Sequence, residues 1–433
     1  MKSQHKNHTA LTHNQKESIA ILSMGTFLEY FDLMLYVHLA VVLNEVFFPK
    51  TDPFTGSLIT ALAFCSTYIL RPLGAIIFGY LGDYVGRKTT VITTTIAMSI
   101  SCLVMANLPT YAQIGITASW LVTICRIVQG LCTMGEVNGA NIYLTEITKP
   151  PVQYVAVGTI AIVGALGGVC ALGVGSLVIN QLFNWRIAFW IGSIIALVGA
   201  YARTRLREAK DYADAKRRVL GTLKDLNQKS SFLKQNIIWN EKVKKATALA
   251  LFSVECTWPV CFYFAYMHCG HVLKNSLHFT SEEVIQQNFI LSMIQLASWI
   301  IVIALSYKIY PLKILRVKLV IFITLLPFCI YLLDNVTSSY QVLLVQSFVV
   351  SMGFMGVPAM PIFYRQLPIF KRFTYITFMY ALSRAVIYVI TSFGLTILAK
   401  YLGNWSFVVI ILPIAFFFNQ AINYFDKLNK VAT

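Results

Sequence analysis

Charged residues are scarce in this sequence, and acidic residues are the scarcest of them. Of the 433 residues, only 12% are charged, 18 are Asp or Glu, and 57% are hydrophobic. A soluble globular chain averages roughly 25% charged and 45–50% apolar residues. One water-exposed domain cannot hide this much apolar surface, whereas a lipid bilayer solvates it. The composition therefore excludes an ordinary soluble domain and predicts an all-α integral membrane protein.

Groups of residues that carry enzyme or metal chemistry are also missing. The sequence contains no histidine cluster, no Ser/His/Asp grouping and no phosphate-binding loop. Its nine cysteines lie within or at the ends of apolar runs, and no pair has zinc-site spacing with histidine partners. Buried cysteines of this kind usually act as small apolar packing residues. We therefore expect no catalytic residue, no metal site and no cofactor.

Long apolar runs are present in number. A membrane-spanning helix needs roughly 20 consecutive apolar residues. The run at 154–181 is the clearest, because it contains no charged residue. The sequence predicts twelve transmembrane helices, at about 18–46, 56–81, 89–107, 113–146, 154–181, 186–203, 244–272, 284–306, 315–333, 338–363, 372–398 and 403–425.

One long polar segment, 204–243, divides these twelve runs into two groups of six. It is rich in Ala, Leu and basic residues, which is typical of an amphipathic linker. We predict an N-terminal six-helix bundle at 1–203, a cytoplasmic linker at 204–243 and a C-terminal six-helix bundle at 244–433. In transporters with two such lobes the substrate binds between them, near the bilayer midplane.

The positions of the basic residues predict the orientation of the chain. The formal net charge is +17, which in a soluble protein would suggest nucleic acid. Here, 28 of the 35 Lys and Arg residues fall on one side of the twelve predicted spans. Cytoplasmic loops carry such an excess, so both termini are expected in the cytoplasm. We predict the lipid bilayer as a partner and no binding of nucleic acid.

The sharpest motif is GYLGDYVGRK, between the second and third predicted spans. Gly82 and Gly86 permit a tight turn and a close helix approach. Asp83, at a helix end, can accept hydrogen bonds from Arg87 or from a neighbouring helix N-terminus. The motif resembles the signature loop of the major facilitator superfamily, where it acts as a conformational latch. The resemblance implies a gating latch made of Gly79, Gly82, Asp83, Gly86, Arg87 and Lys88, and we expect Glu146 to be the partner of Arg87.

Several further segments narrow the resemblance. FLEYFDLMLY, ILRPLGAIIFGYLGDYVGRK, RIVQGLCTMGEVNGANIYLTE, NWRIAFWIG and HVLKNSLHFT (271–280, expected after the seventh helix) are similar to metabolite–proton symporters of the proline/betaine type. The resemblance implies the major facilitator fold and proton-coupled uptake of a small polar metabolite. It also implies a place in the cell inner membrane, with the proton as coupling ion. We further expect a monomer.

The second half departs from this family. The signature loop should recur between the eighth and ninth spans, but residues 306–318 read SYKIYPLKILRVK, without Asp or Gly-Arg. This departure puts symmetric gating in doubt. Glu255 in the seventh span also has no counterpart that we can place in the family. The substrate therefore need not be proline or betaine.

Charged residues inside the first-half spans are candidates for proton coupling. A charge at mid-bilayer costs at least ~2.5–3.5 kcal/mol on insertion scales. Glu29 and Asp32 lie three residues apart on one helix face, which Tyr36 extends. Two close carboxylates in a low dielectric do not both ionise easily, so one is expected to hold a proton. The alternative is a structural ion pair with an arginine.

Arginines in the second and fourth spans could pair with these carboxylates. Arg71 and Arg126 are both predicted near mid-membrane, and Gln129 and Glu136 share a broad helix face with Arg126. The Arg-x-x-Gln-Gly piece at 126–130 resembles a second superfamily motif that is associated with proton coupling. We expect Arg126 or Arg71 to pair with Asp32 or Glu29, and protonation to weaken that pair.

In the second half, the expected substrate-binding residues join Tyr36 and Gln129. Aromatic side chains could surround a cationic headgroup, and an acid with a base would suit a zwitterion. The candidates are Glu255, Trp258, Tyr263 and Arg384. Ordinary bundle packing is as good an interpretation for each aromatic residue taken singly.

Three other functions remain open. An exporter, or a carrier of a larger metabolite such as a siderophore, would fit the same fold. Superfamily drug exporters usually carry Gly-Pro in the fifth span, whereas this chain has no Pro between Pro151 and Pro259. A non-transporting sensor would not need the buried charges, and a membrane enzyme lacks its chemistry. The sequence therefore favours a secondary transporter of a small polar or zwitterionic metabolite.

Overall fold

The computed structural model describes residues 11–48, 68–179, 184–204 and 242–432. Within these ranges the chain is helical and contains no β-strand. The first half comprises α1 (His13–Phe47), α2 (Arg71–Tyr84), α3 (Arg87–Asn107), α4 (Ile116–Ile147), α5 (Val152–Ile179) and α6 (Trp185–Arg203). The second half comprises α7 (Lys245–Leu277), α8 (Ser281–Leu305), α9 (Pro311–Asp334), α10 (Ser339–Met352), α11 (Ile369–Leu402) and α12 (Ser406–Ala432).

Eight stretches of the described residues are long and apolar enough to cross a membrane. One of them, Ile369–Lys430, contains both α11 and α12. Helix α10 is a shorter apolar helix, and most of the second predicted span and of the 204–243 linker lies outside the described residues. The expected all-α architecture of twelve helices in two bundles is confirmed by this helix order and by the structural comparisons below.

Local sequence signals set several helix boundaries. Thr280 and Glu283 form a reciprocal capping box at the start of α8, and Ser338 and Gln341 form one at the start of α10. Pro311 occupies the first turn of α9, where its missing N–H costs nothing. Gly403, at φ 55°, separates α11 from α12, because glycine tolerates this left-handed backbone.

Some predicted boundaries were wrong. HVLKNSL was expected after the seventh helix but forms its last turns, since α7 runs to Leu277. The span predicted at 338–363 is broken after Met352 and resumes only as a short helix, Met360–Tyr364. Gly353, Gly356 and Pro358 lie in the break, and residues of these types interrupt helical hydrogen bonding. Helix α2 also continues into the signature motif as far as Tyr84.

The helices pack within each half and at two seams between the halves. In the first half α1 packs against α5, and α3 against α4 and α6. In the second half α7 packs against α11 and α12, and α9 against α10. Across the halves α2 contacts α11 and α5 contacts α8, and we call these the α2–α11 seam and the α5–α8 seam. Large apolar side chains on the outer faces, such as Trp120, Ile194 and Phe393, are exposed, as lipid contact requires.

Candidate functional site

A buried ion pair joins α1 to α4 inside the first half. Arg126 Nη1 lies 3.0 Å from Asp32 Oδ2, and the two residues are 6% and 4% exposed. Gln129 Nε2 donates to Asp32 Oδ1 at 3.3 Å, and Arg126 Nη1 also donates to Gln129 Oε1 at 2.7 Å. The Cys102 thiol, on α3, lies 3.6 Å from Asp32 Oδ1. Side chains of α3 and α4 therefore meet at the Asp32 carboxylate of α1.

The helical spacing explains this convergence. Arg126 and Gln129 are three residues apart on α4, so both side chains reach the same face. Glu29, one turn before Asp32 on α1, is also buried and lies beside Tyr30. A buried pair of this kind is strongly coupled, because removing one partner leaves an uncompensated charge. Adding a proton to Asp32 would remove the attraction in the same way.

The two remaining first-half candidates on these helices are only partly described. Tyr36 lies in α1 and Glu136 in α4, but their side chains fall outside the described residues. Both positions continue the helices that carry Asp32 and Arg126. Their expected roles stay predictions.

Arg71 is placed differently from Arg126. Its guanidinium stacks over the Tyr68 ring at 4.3 Å from the centroid, and the residue is 3% exposed. Among the described residues no carboxylate lies within 4.0 Å of it, and its Nε makes no hydrogen bond. Of the two arginines considered as partners for Asp32, the structure pairs Arg126.

The two charged residues of the second half that the sequence proposes for substrate binding, Glu255 and Arg384, form an ion pair with each other. Arg384 Nη1 lies 3.0 Å from Glu255 Oε2 and also donates to the Glu255 backbone oxygen. The guanidinium stacks over Tyr380, 4.0 Å from the ring centroid. Both charged residues are buried. In this conformation neither is available as a separate partner for one end of a zwitterion, because each already neutralises the other.

Tyrosines fill the space around these charges at the α2–α11 seam. Tyr68, three residues before the start of α2, and Tyr388 of α11 pack with ring centroids 4.4 Å apart. Tyr30 of α1 lies close to Tyr380 of α11. Tyr263, the sequence candidate, lies in a π-helical turn of α7 and is only partly buried. We call Tyr30, Tyr68, Tyr380 and Tyr388 the tyrosine cluster.

A small cavity of about 40 Å³ lies beside this cluster, between α1, α5, α7 and α8. Tyr30 lines it together with Trp258 and Tyr266 of α7 and Gln295 of α8. A cavity needs roughly 10–15 Å³ to hold one water molecule. Only a few waters would fit, so the cavity as it stands is too small for a metabolite. Glu255 and Arg384 are not among its lining residues.

The signature motif forms a buried network of ion pairs at one end of the α2–α11 seam. Arg87 Nη1 lies 3.0 Å from Asp83 Oδ1, and Arg87 Nη2 lies 3.3 Å from Glu146 Oε1. Arg372, near the start of α11, adds a second bond to Glu146 Oε1 at 3.1 Å. Arg87 is fully buried. We call Asp83, Arg87, Glu146 and Arg372 the latch.

Backbone groups of α11 complete the latch. Asp83 accepts hydrogen bonds from the backbone N–H of Phe373 at 3.1 Å and of Thr374 at 2.8 Å. Arg87 Nη2 donates to the Ile369 carbonyl at 2.7 Å. These bonds run from the first half to the second, so the halves are held together at this end.

The motif glycines make the close contact possible. A Cβ added to Gly79 would lie 2.8 Å from Thr374 Cα, and one added to Gly82 would lie 2.6 Å from the Phe373 ring. Gly86, at φ 144°, starts α3 with a backbone that other residues rarely adopt. Lys88 points away from the seam and donates to the Thr204 carbonyl at 2.8 Å.

Sequence reasoning missed the α11 side of the latch and the tyrosine cluster. In the sequence, Arg372 is only one of the many basic residues expected on the cytoplasmic side. Its place at the start of a span was visible, but its pairing with Glu146 follows only from the packing of α11 against α2. The tyrosines gave no usable signal, since their helices are far apart in sequence.

Comparisons with known proteins agree with this architecture. A family model described as Major Facilitator Superfamily matches residues 22–389. Two solved structures share the fold: the proton:xylose symporter XylE, with a TM-score of 0.74 and 15% identity over 95% of both chains, and FucP in an outward conformation, with a TM-score of 0.67 and 14% identity over 96% of this chain and 99% of that one. At such identities the likeness concerns the fold alone.

Curated relatives are nearer in sequence but match only in part. The inner membrane metabolite transport protein YhjE of Escherichia coli is 34% identical over 226 residues, which cover 48% of this chain and 51% of the relative. A putative metabolite transport protein of Haemophilus influenzae is 40% identical over 209 residues, 46% of each chain. The proline/betaine transporter of Salmonella typhimurium is 34% identical over 202 residues, 45% of this chain and 40% of the relative. The chain spans about half the length of the curated relatives it matches.

Proposed function

The chain belongs to the major facilitator superfamily, and we propose that it is a secondary transporter that couples uptake of a small polar or zwitterionic metabolite to proton entry. In this proposal the two halves rock against each other, and the substrate binds between them. The curated relatives named as metabolite and proline/betaine transporters support the substrate class.

The observation that carries proton coupling is the Asp32–Arg126 pair. It is buried, joins two helices of the first half, and has a polar partner on each side in Gln129 and Cys102. A proton on Asp32 would cancel its attraction to Arg126 and release α1 from α4. A proton would therefore stabilise the arrangement in which α1 is released from α4 over the one in which the two helices are paired. A coupling ion must distinguish two conformations in this way.

The closed latch and the small cavity support alternating access. The latch holds the halves together at one end, and the cavity is too small for a metabolite. Opening must therefore occur before a substrate enters, and the latch end is the part of the seam that would have to separate to open that side. The excess of basic residues supports placing this end in the cytoplasm.

The wider organisation follows from the same proposal. The bundles at 1–203 and 244–433 are the moving lobes, and 204–243 is a cytoplasmic linker. A relative named as an inner membrane metabolite transport protein supports an inner-membrane location, and the excess of basic residues supports both termini inside. The proton is the only coupling ion in this proposal, no cofactor is involved, and the unit is a monomer.

Uptake by proteoliposomes under an imposed pH gradient tests the coupling. The assay would screen amino acids, betaines and organic acids. We expect gradient-driven accumulation by the wild type, and we expect Asp32→Asn to abolish the gradient dependence while substrate exchange continues. The matched control is Glu255→Gln, which neutralises the acid of the other buried arginine pair.

The outcomes separate cleanly. Gradient dependence retained in Asp32→Asn but lost in Glu255→Gln would place the coupling in the second half and contradict the proposal. No gradient-driven flux of any compound by the wild type would contradict proton-coupled uptake altogether. Outward flux of a larger solute would favour the exporter.

A further inference from the structure

Arg71 is a buried cation at the seam between the halves, and the described residues supply no carboxylate to pair with it. The residue is 3% exposed, and no described carboxylate lies within ion-pair distance of it. Within the part of the chain that the structure describes, its guanidinium stacks on the Tyr68 ring and its Nε makes no hydrogen bond. A buried unpaired charge is costly. A buried charge of this kind inside a membrane protein is by default a candidate for binding a substrate or an ion.

The other charges nearby do not neutralise Arg71. Glu255 is engaged by Arg384 at 3.0 Å. Asp32 is engaged by Arg126. Glu29 lies beside Tyr30 on α1 and is not within 4.0 Å of Arg71. Arg126 and Arg384 each have a carboxylate partner, whereas Arg71 has none among the described residues.

The surroundings of Arg71 suit a ligand that has both an anionic and an apolar or cationic part. Arg71 stacks on the Tyr68 ring, which packs against Tyr388, and Arg384 stacks on the Tyr380 ring. Tyrosine faces attract cations, and tyrosine hydroxyls can donate hydrogen bonds to a carboxylate. Tyr30 connects the tyrosine cluster to the cavity, which it also lines.

We propose that Arg71 is the carboxylate-binding residue of the substrate site, and that the tyrosine cluster encloses the rest of a small carboxylate-bearing substrate. This inference rests on the proposed function, because it assumes that the seam is the transport path. It moves Arg71 from proton coupling to substrate binding. The planar guanidinium can grip a carboxylate through two parallel hydrogen bonds.

Equilibrium binding, which needs no pH gradient, tests this role. Purified protein would be titrated with L-proline, glycine betaine, 2-oxoglutarate and citrate, and with prolinamide as a probe that lacks the carboxylate. We expect at least one carboxylate to bind wild type. We expect Arg71→Met to weaken that binding about tenfold to a hundredfold, the loss typical of a charge-assisted hydrogen bond. Prolinamide should bind neither protein.

Two control variants separate binding from folding. Lys318→Met removes another buried cation that has no ion-pair partner among the described residues, but one in α9 beside Cys261 rather than at the seam. Arg384→Met breaks a formed pair. In ligand-free protein we expect Arg71→Met and Lys318→Met to keep or raise the melting temperature, and Arg384→Met to lower it. Lys318→Met should still bind the carboxylate.

Three results would overturn the assignment. One is unchanged carboxylate affinity in Arg71→Met. Another is a fall in melting temperature as large as that of Arg384→Met, which would make Arg71 a structural residue. The third is the absence of binding of any carboxylate to wild type. Carboxylate binding that is intact but not accompanied by gradient-driven uptake would instead refute proton coupling and leave this site standing.

Discussion

The two halves of the molecule treat the same end of the bundle in different ways. In the first half Arg87 and Glu146 are fully buried, and the latch bonds cross to α11. In the second half Arg316 of α9 pairs with Asp426 of α12, and the side chain of Arg316 is 42% exposed. That pair stays within its own half. The α5–α8 seam, which mirrors the α2–α11 seam, is close at Gly158 and Ile303, an apolar contact.

In the proposed transport cycle, this difference would divide the gating between charged contacts at one seam and apolar packing at the other. Buried, hydrogen-bonded charges are costly to separate, whereas exposed ion pairs contribute little. The α2–α11 seam should therefore behave as a switch with defined open and closed arrangements. The α5–α8 seam should slide more readily, because apolar contacts have no fixed hydrogen-bond geometry. The degenerate second motif is the sequence counterpart of this difference.

The largest expected effect comes from breaking the latch. Arg87→Met leaves Asp83 and Glu146 with fewer partners in a buried site, so we expect a loss of about 3–5 kcal/mol in the free energy of unfolding. The matched change in the second half, Arg316→Met, should cost roughly 0–1 kcal/mol. Thermal unfolding in detergent measures both. Equal losses of unfolding free energy in the two variants would mean that the two halves do not differ in this way.

A smaller effect is expected from the glycines that allow the seams to close. A Cβ at Gly79 would meet the α11 backbone at Thr374 Cα, which cannot move alone. We expect Gly79→Ala to cost about 1–3 kcal/mol and to open the latch end. Maleimide labelling of Thr377→Cys, a position fully buried at this seam, should then become faster.

The corresponding change at the α5–α8 seam is Gly158→Ala. Its Cβ would lie 2.7 Å from Ile303 Cγ2, a side-chain atom. We expect this variant to be rescued by Ile303→Ala, which removes that atom, whereas no side-chain truncation should rescue Gly79→Ala. Rescue of Gly79→Ala by Thr374→Ala would show that the α2–α11 seam tolerates sliding too.

The smallest effect is expected at the Arg316–Asp426 pair of the second half, in which Asp426 is buried but both of its cationic partners are exposed to solvent. Asp426 bonds Arg316 at 2.9 Å and Lys430 at 3.2 Å, and the Lys430 side chain is 75% exposed. Asp426→Asn should cost roughly 0–1 kcal/mol, and high salt should remove the difference from wild type because it screens exposed charges. By contrast, Glu146→Gln should destabilise the protein at any salt concentration. A salt-independent loss in Asp426→Asn would contradict the comparison.

Much of the fold could be predicted from the sequence. The apolar runs located the helices, and the motif spacing identified the loop between α2 and α3. The break in α10 was missed, since the hydropathy of residues 353–359 continues that of the helix around them. The end of α7 was also missed. HVLKNSL is polar enough to suggest a loop, but it remains helical as far as Leu277.

The candidate site was predicted less completely. Spacing on one helix brought Arg126 and Gln129 together, and Asp32 was expected among their partners. Spacing could not decide between Arg71 and Arg126 as that partner, nor show that Glu255 and Arg384 neutralise each other. Those relations depend on how each helix is rotated and how deeply it sits against its neighbours.

What the sequence determined by itself was the kind of molecule: apolar runs of spanning length, an asymmetric distribution of basic residues and a latch motif present in only one half. These are local properties. They depend on the free energy of transferring each segment into the bilayer and on the residues that form the turn within the motif. The tertiary structure alone decided which buried charges meet. It paired Asp32 with Arg126 and Glu255 with Arg384, and it left Arg71 against a tyrosine ring. Ion pairs form over a few ångströms between helices far apart in sequence, so only their packing selects them.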